Sequence, residues 1–163
     1  MNKQAIEKFN EIRDIPYHIS VHGEAGSGCA DKAFKLIEEF KQLNIEAKFI
    51  VGLMKWSDLK LPQEVTDVPH DDESSHAFVE IENSEGKKIL IDPTWNKELS
   101  EAGFTIAEWD GESSTVLAIN CYKIMTAAES EEYMKHLDNE DDLERNGKFY
   151  EAINEYCDSF LER

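Results

Sequence analysis

The chain is poor in the residues that build covalent or membrane scaffolds. It carries only three cysteines, Cys29, Cys121 and Cys157. An odd count with no close pair argues against a disulfide framework. No apolar run approaches the ~18 residues of a membrane span. The stretch from Met1 to Asn10 lacks an apolar signal region, so a cytoplasmic protein is expected. There is no glycine-lysine phosphate loop, which argues against nucleotide binding. Basic residues are scarce, 17 Lys and Arg against 35 Asp and Glu, for a net charge of −18. That balance disfavours a nucleic-acid partner, whose phosphates call for a basic patch, and an anionic membrane surface. Solubility is the plain reading of the charge, and attraction of cationic substrates is the alternative.

What is present reads as one α+β domain. At 163 residues, a single compact unit can bury roughly 70% of its unfolded surface. Residues 3–12 form a helix candidate ending before Pro16, and 17–21 read as extended. After a Gly-rich turn at 22–28, Ala30, Ala33, Phe34, Ile37 and Phe40 recur at helical spacing, predicting a helix over 29–43. Asn44 suits the left-handed residue that ends it. Residues 46–54 read as a mostly buried strand. The segment 57–75 is long and polar, contains Pro62 and Pro69, and is expected to border the cleft as a mobile loop with Trp56 at its root. Residues 115–121 read as a strand. Thr126 to Glu129 has the capping-box pattern, opening C-terminal helices over about 126–163. The last carries an aromatic stripe through Phe149, Tyr150, Ile153, Tyr156 and Phe160, expected to dock on the core. The acidic run 138–142 reads as a solvated helix start.

Three residues form a constellation suited to thiol chemistry. Cys29 opens a helix, where unpaired N–H groups and the positive dipole end favour a thiolate. His76 opens an alternating apolar and polar run, and Asp92 closes another. A thiolate attacks, an imidazole moves the proton, and a carboxylate fixes the imidazole tautomer. Residues 76–82 and 87–92 predict a hairpin. Pairing centred on Ser84 sets His76 against Asp92, Phe78 against Leu90 and Glu80 against Lys88. Any odd-length loop keeps His76 and Asp92 on one face.

The segments Gly26-Ser27-Gly28-Cys29, 33–36 and 43–52 resemble the nucleophile helix and following strand of the transglutaminase-like family. His76-Ala77-Phe78-Val79-Glu80 and Ile91-Asp92-Pro93-Thr94 resemble its histidine and aspartate strands. The resemblance covers about residues 26–95. It implies a papain-like fold, with the nucleophile helix packed on an antiparallel sheet of three to four strands. It also implies a Cys29, His76 and Asp92 triad acting on a peptide, protein or small amide. Hydrolysis by a cysteine peptidase or amidase, transamidation, and a non-catalytic interaction module are all represented in that family.

The match departs from the family upstream of the nucleophile. The position of a papain-like oxyanion glutamine is Gly23, no tryptophan precedes Cys29, and Ala30 follows it. Tyr17 or His22 is the substitute donor, beside the Cys29 backbone N–H, and Gly28 permits close approach of a carbonyl. Thr94 can bond Asp92, and Trp95 either covers the His-Asp pair or packs as ordinary core. Cys121 and Cys157 read as inert core thiols. The run 70–76 is rich in metal-ligating residue types but lacks the i, i+4 histidines of a metalloprotease helix and any paired cysteines. No cofactor or metal is expected.

Overall fold

The computed structural model describes residues 2–161; Met1, Glu162 and Arg163, within the expected domain, lie outside them. Helix α1 (Lys3–Arg13) leads through an irregular segment to α2 (Cys29–Gln42), β1 (Ala47–Lys55) and α3 (Gln63–Thr66). There follow β2 (Glu73–Glu82), β3 (Lys88–Ile91), β4 (Cys121–Ile124), α4 (Ala127–Lys135) and α5 (Asn139–Asp158). The four strands make one antiparallel sheet in the order β3-β2-β1-β4.

Local chemistry sets the helix boundaries. Asn44 adopts φ 61°, and the Ile45 N–H returns to the Phe40 carbonyl at 2.9 Å, so the chain reverses directly into β1. Helix α2 therefore runs antiparallel to β1, and its first residue, Cys29, lies toward the sheet end where β1 finishes and β2 begins. On its inner face Ala33, Leu36 and Phe40 are fully buried against Ala77, Val79 and Ile81 of β2. A second apolar cluster gathers Met54, Trp56, Trp95 and Leu99 with Phe149 and Ile153 of α5. The α5 stripe docks as its spacing predicts. Thr126 caps α4 in a capping box with Glu129, and α4 lies along β1, where the Ser130 hydroxyl accepts the Val51 N–H at 2.9 Å.

Lys32, one turn into α2, is 1% exposed. Its ammonium donates to the carbonyls of Arg13 (2.8 Å), Ile15 (2.6 Å) and Thr94 (2.8 Å). Burial pulls its pKa down to about 7, against the opposing pull of Asp14 and Asp92.

Three expectations need correction. The hairpin register is centred on Glu85, with Glu80 opposite Leu90 and Val79 opposite Ile91. His76 is therefore diagonal to Asp92 rather than opposite, though the shift of two keeps both on one face. The 57–75 segment is not a bare polar loop. It holds a 3-10 turn (Trp56–Asp58), α3 and the start of β2. Val65 is buried and Leu59, Leu61 and Val68 pack on the second cluster, while Asp72 accepts from the Ser57 N–H and hydroxyl, both at 2.8 Å. Residues 115–120 form no strand; β4 starts at Cys121. The 114–118 stretch instead bonds the β3 edge, through Thr115 N–H to the Leu90 carbonyl and through the hydroxyls of Ser114 and Thr115. Residues 17–21 run alongside the core without joining a ladder.

Replacing Lys32 by Met leaves three carbonyls without their donor. We expect a loss of about 2–3 kcal/mol at pH 7 by denaturant unfolding. Because the folded pKa lies below the unfolded value of about 10.4, the unfolded chain binds more protons between those values. Wild type therefore gains stability relative to K32M as pH rises from about 7 toward 10. A gap that stays constant over that window would contradict the burial of the ammonium.

Candidate active site

Cys29, His76 and Asp92 converge at one end of the sheet. Cys29 is the first residue of α2, after the N-cap Gly28. It lines the same cleft as His76. His76 stands in β2 opposite Gly52 and is 5% exposed. Its Nε2–H donates to Asp92 Oδ2 at 2.6 Å. Asp92, one residue beyond β3, is 1% exposed.

The Asp92 carboxylate is saturated with donors. Oδ2 also accepts the Ala118 N–H at 2.7 Å. Oδ1 accepts the Thr94 hydroxyl at 2.5 Å and the Thr94 N–H at 3.2 Å. An acceptor on this scale is an ionised carboxylate, so Nε2 carries the proton and Nδ1 is the ring nitrogen left for sulfur. Burial alone would raise the Asp92 pKa, but His76, Ala118 and Thr94 together hold it below the usual carboxylate range. Burial alone would likewise lower that of His76, but the Asp92 charge and hydrogen bond, with Cys29, lift it well above the ordinary imidazole value. The expectation for Thr94 therefore matches its place. Trp95 is buried and donates Nε1–H to the Ala118 carbonyl at 2.9 Å, locking the segment whose N–H reaches Asp92.

Cys29 and His76 open on a cleft of about 390 Å³, with Asp92 buried behind the imidazole. Gly28, Tyr17, Trp56 and Trp95 line it, as does His76. Tyr17 meets Trp95 edge-on, with ring centroids 4.7 Å apart, and its backbone N–H donates to the Asn96 side chain at 2.9 Å. Its pKa is raised well above the ordinary phenol, first by burial and then by the charge of Cys29. The Tyr17 hydroxyl has no hydrogen-bond partner among the described residues. Gly26 has a separate steric reason: a Cβ there would meet Asp31 Oδ2 at 2.6 Å. Asp31 caps the turn by accepting the Gly28 N–H at 3.1 Å.

His22 does not join the cleft. Its ring is 72% exposed and pairs with Glu151 at 2.6 Å on the outer face of α5. Within the 70–76 run, His70 stacks on Phe149 with centroids 3.6 Å apart, and Asp72 serves Ser57. No group of three or more His, Cys, Asp or Glu converges as a metal-binding set among the described residues.

Two features escape the sequence reading. Cys121 lies beside Gly52, where an added Cβ would come within 2.6 Å of its sulfur. Burial pushes its thiol up. The far wall of the cleft comes from α5, through Asn139, Asp142, Leu143 and Tyr150. Its sequence signal is a polar stripe, Asp142, Asn146, Tyr150 and Asn154, at an interval of four residues. Asn146 Oδ1 accepts the Asp71 N–H at 2.8 Å. Asn154 grips the Ile19 backbone through both its N–H and its carbonyl, each at 2.8 Å.

Comparison with protein-family models, with curated proteins and with solved structures gives no match to this chain.

Among the three thiols, Cys29 should alkylate first with iodoacetamide in the native protein at neutral pH. Burial pushes Cys157 up to about 12 and raises Cys121, whereas Cys29 faces the cleft and His76. Peptide mapping by mass spectrometry reads the order. Equal labelling of all three would contradict it.

Proposed function

We propose that the chain is a thiol-dependent amide hydrolase of the transglutaminase-like, papain-like kind. The reading is carried by one observation: Cys29 and His76 share a cleft large enough for a peptide-sized group, and buried Asp92 holds the far side of the imidazole.

The chemistry follows from the atoms. The Cys29 thiol gives its proton to His76 Nδ1 and its sulfur attacks the carbonyl carbon of the amide, so that the carbonyl oxygen takes the negative charge. The Cys29 backbone N–H belongs to the first turn of α2, so it has no helical acceptor and is free to donate to that oxygen. The neutral Tyr17 hydroxyl is the second donor, in place of the side chain absent at Gly23. As the C–N bond breaks, His76 Nδ1 gives its proton to the departing amine. A water then attacks the thioester, His76 accepts its proton, and the C–S bond breaks to release the carboxylic acid and the thiol. Asp92 keeps Nε2 protonated throughout and stabilises the imidazolium.

A panel of fluorogenic amides and esters tests this reading. C29A should abolish turnover. D92N should lower kcat by about 10³-fold or more, because the amide can hold the wrong imidazole tautomer. Y17F should lower kcat by about 10²-fold with a smaller change in KM, the signature of a lost oxyanion donor. Turnover that survives C29A, or a panel with no Cys29-dependent turnover, would overturn it.

A further inference from the structure

The cleft has a charge pattern that hydrolysis alone does not require. Two carboxylates, Asp31 and Asp142, line it, and no Lys or Arg does. Neither carboxylate has an ion-pair partner among the described residues. Asp31 is occupied with the Gly28 N–H. Asp142 is different. Its Oδ1 accepts the Tyr150 hydroxyl at 2.8 Å and the Asn146 amide at 2.9 Å, while Oδ2 has only a longer 3.1 Å contact to the same hydroxyl. One oxygen is thus anchored to its own helix and the other keeps acceptor capacity. Arg145, close by on α5, is drawn off by Asp141 and Asp71.

The rest of the wall fits a long cationic side chain. Met54, Ile119 and Trp95 offer apolar surface for methylene groups. Trp56 and Tyr150 bring aromatic rings to the same space, where a cation gains from the ring face. Tyr150 also connects the wall to the nucleophile, since its hydroxyl holds Asp142 and its ring lines the same cleft as Cys29. The net charge of −18 concentrates cations around the whole molecule.

We propose that Asp142 is the counter-charge of a specificity pocket for a cationic side chain, so that the preferred substrates are peptide amides carrying lysine or arginine beside the bond that Cys29 attacks. The proposal rests on the amide-hydrolase reading, and its test separates the two.

The full chain is treated with chloromethyl ketones built on lysine, norleucine and glutamate, and the rate of Cys29 alkylation is followed by mass spectrometry. Hydrolysis of the matching coumarin amides is measured in parallel. The lysine probe should alkylate Cys29 about tenfold faster than the norleucine probe. In D142N that ratio should fall below about twofold. D142E should restore it, and D142K should turn the preference toward glutamate. E38Q, which removes an exposed charge elsewhere on α2, should leave the ratio intact, separating the pocket from the general field. Equal rates for the lysine and norleucine probes, or a ratio that survives D142N, overturn the proposal. Selective alkylation that depends on Asp142 without amide turnover supports the pocket and removes the hydrolase reading. Cys29-dependent turnover without cationic preference does the reverse.

Discussion

The buried ammonium of Lys32 is the tie on which the rest depends. It joins the end of α1, the irregular segment after it, and the chain just past β3, through the carbonyls of Arg13, Ile15 and Thr94. It does so from the first turn of the helix that carries Cys29, to a point two residues beyond Asp92. Removing a charge from water costs several kcal/mol. Three charge-assisted hydrogen bonds and the nearby Asp14 and Asp92 offset much of that cost. The reward is positional, because α2 cannot slide along the sheet without breaking bonds to two separate parts of the chain.

Asp92 is built on the same logic with the sign reversed. Its carboxylate is buried, but every donor around it comes from backbone or from a side chain fixed in place by the fold. Thr94 supplies two donors, Ala118 one and His76 one. Trp95 secures Ala118 from behind. This arrangement fixes the imidazole tautomer within the fold itself. It also explains why the 114–118 stretch forgoes a strand ladder. Its polar groups are spent on the β3 edge and on Asp92.

Local signals made half of this legible. The helix phase, the left-handed Asn44 and the Thr126 capping box are short-range features, and they stand where the sequence puts them. The shared face of His76 and Asp92 was legible from parity alone. The register was not, because Glu80 opposite Lys88 and Phe78 opposite Leu90 make plausible pairs about Ser84, while the chain closes about Glu85. The turn decides it. Asn83 N–H bonds the Lys87 carbonyl at 2.8 Å, the Asn83 side chain accepts the N–H groups of Glu85 and Lys87, both at 3.0 Å, and Gly86 takes φ 77°. Each exposed cross-strand pair contributes only about 0.2–1 kcal/mol, too little to displace that set. The anchoring of 57–75 and the identity of the far cleft wall were illegible for another reason. Both depend on contacts with α5, whose partners lie about 70 to 140 residues away in sequence.

The two walls of the cleft therefore have separate mechanical origins. The sheet and α2 fix Cys29, His76 and Asp92 relative to one another through ladder pairing and the Lys32 tie. The opposite wall is set by the polar stripe of α5, in which Asn154 holds Ile19 and Asn146 holds Asp71. Neither asparagine touches the His-Asp pair. Because sites that share no partners contribute almost additively, the α5 stripe can change what the cleft admits while the thiol, imidazole and carboxylate keep their geometry. The reverse does not hold. Tyr17 is bound to the sheet side through Asn96 and lies two residues from the Asn154 clamp on Ile19. Tyr17 and Trp56, which meets Phe149 edge-on with ring centroids 5.3 Å apart, are thus places where a shift of α5 reaches the sheet side of the cleft.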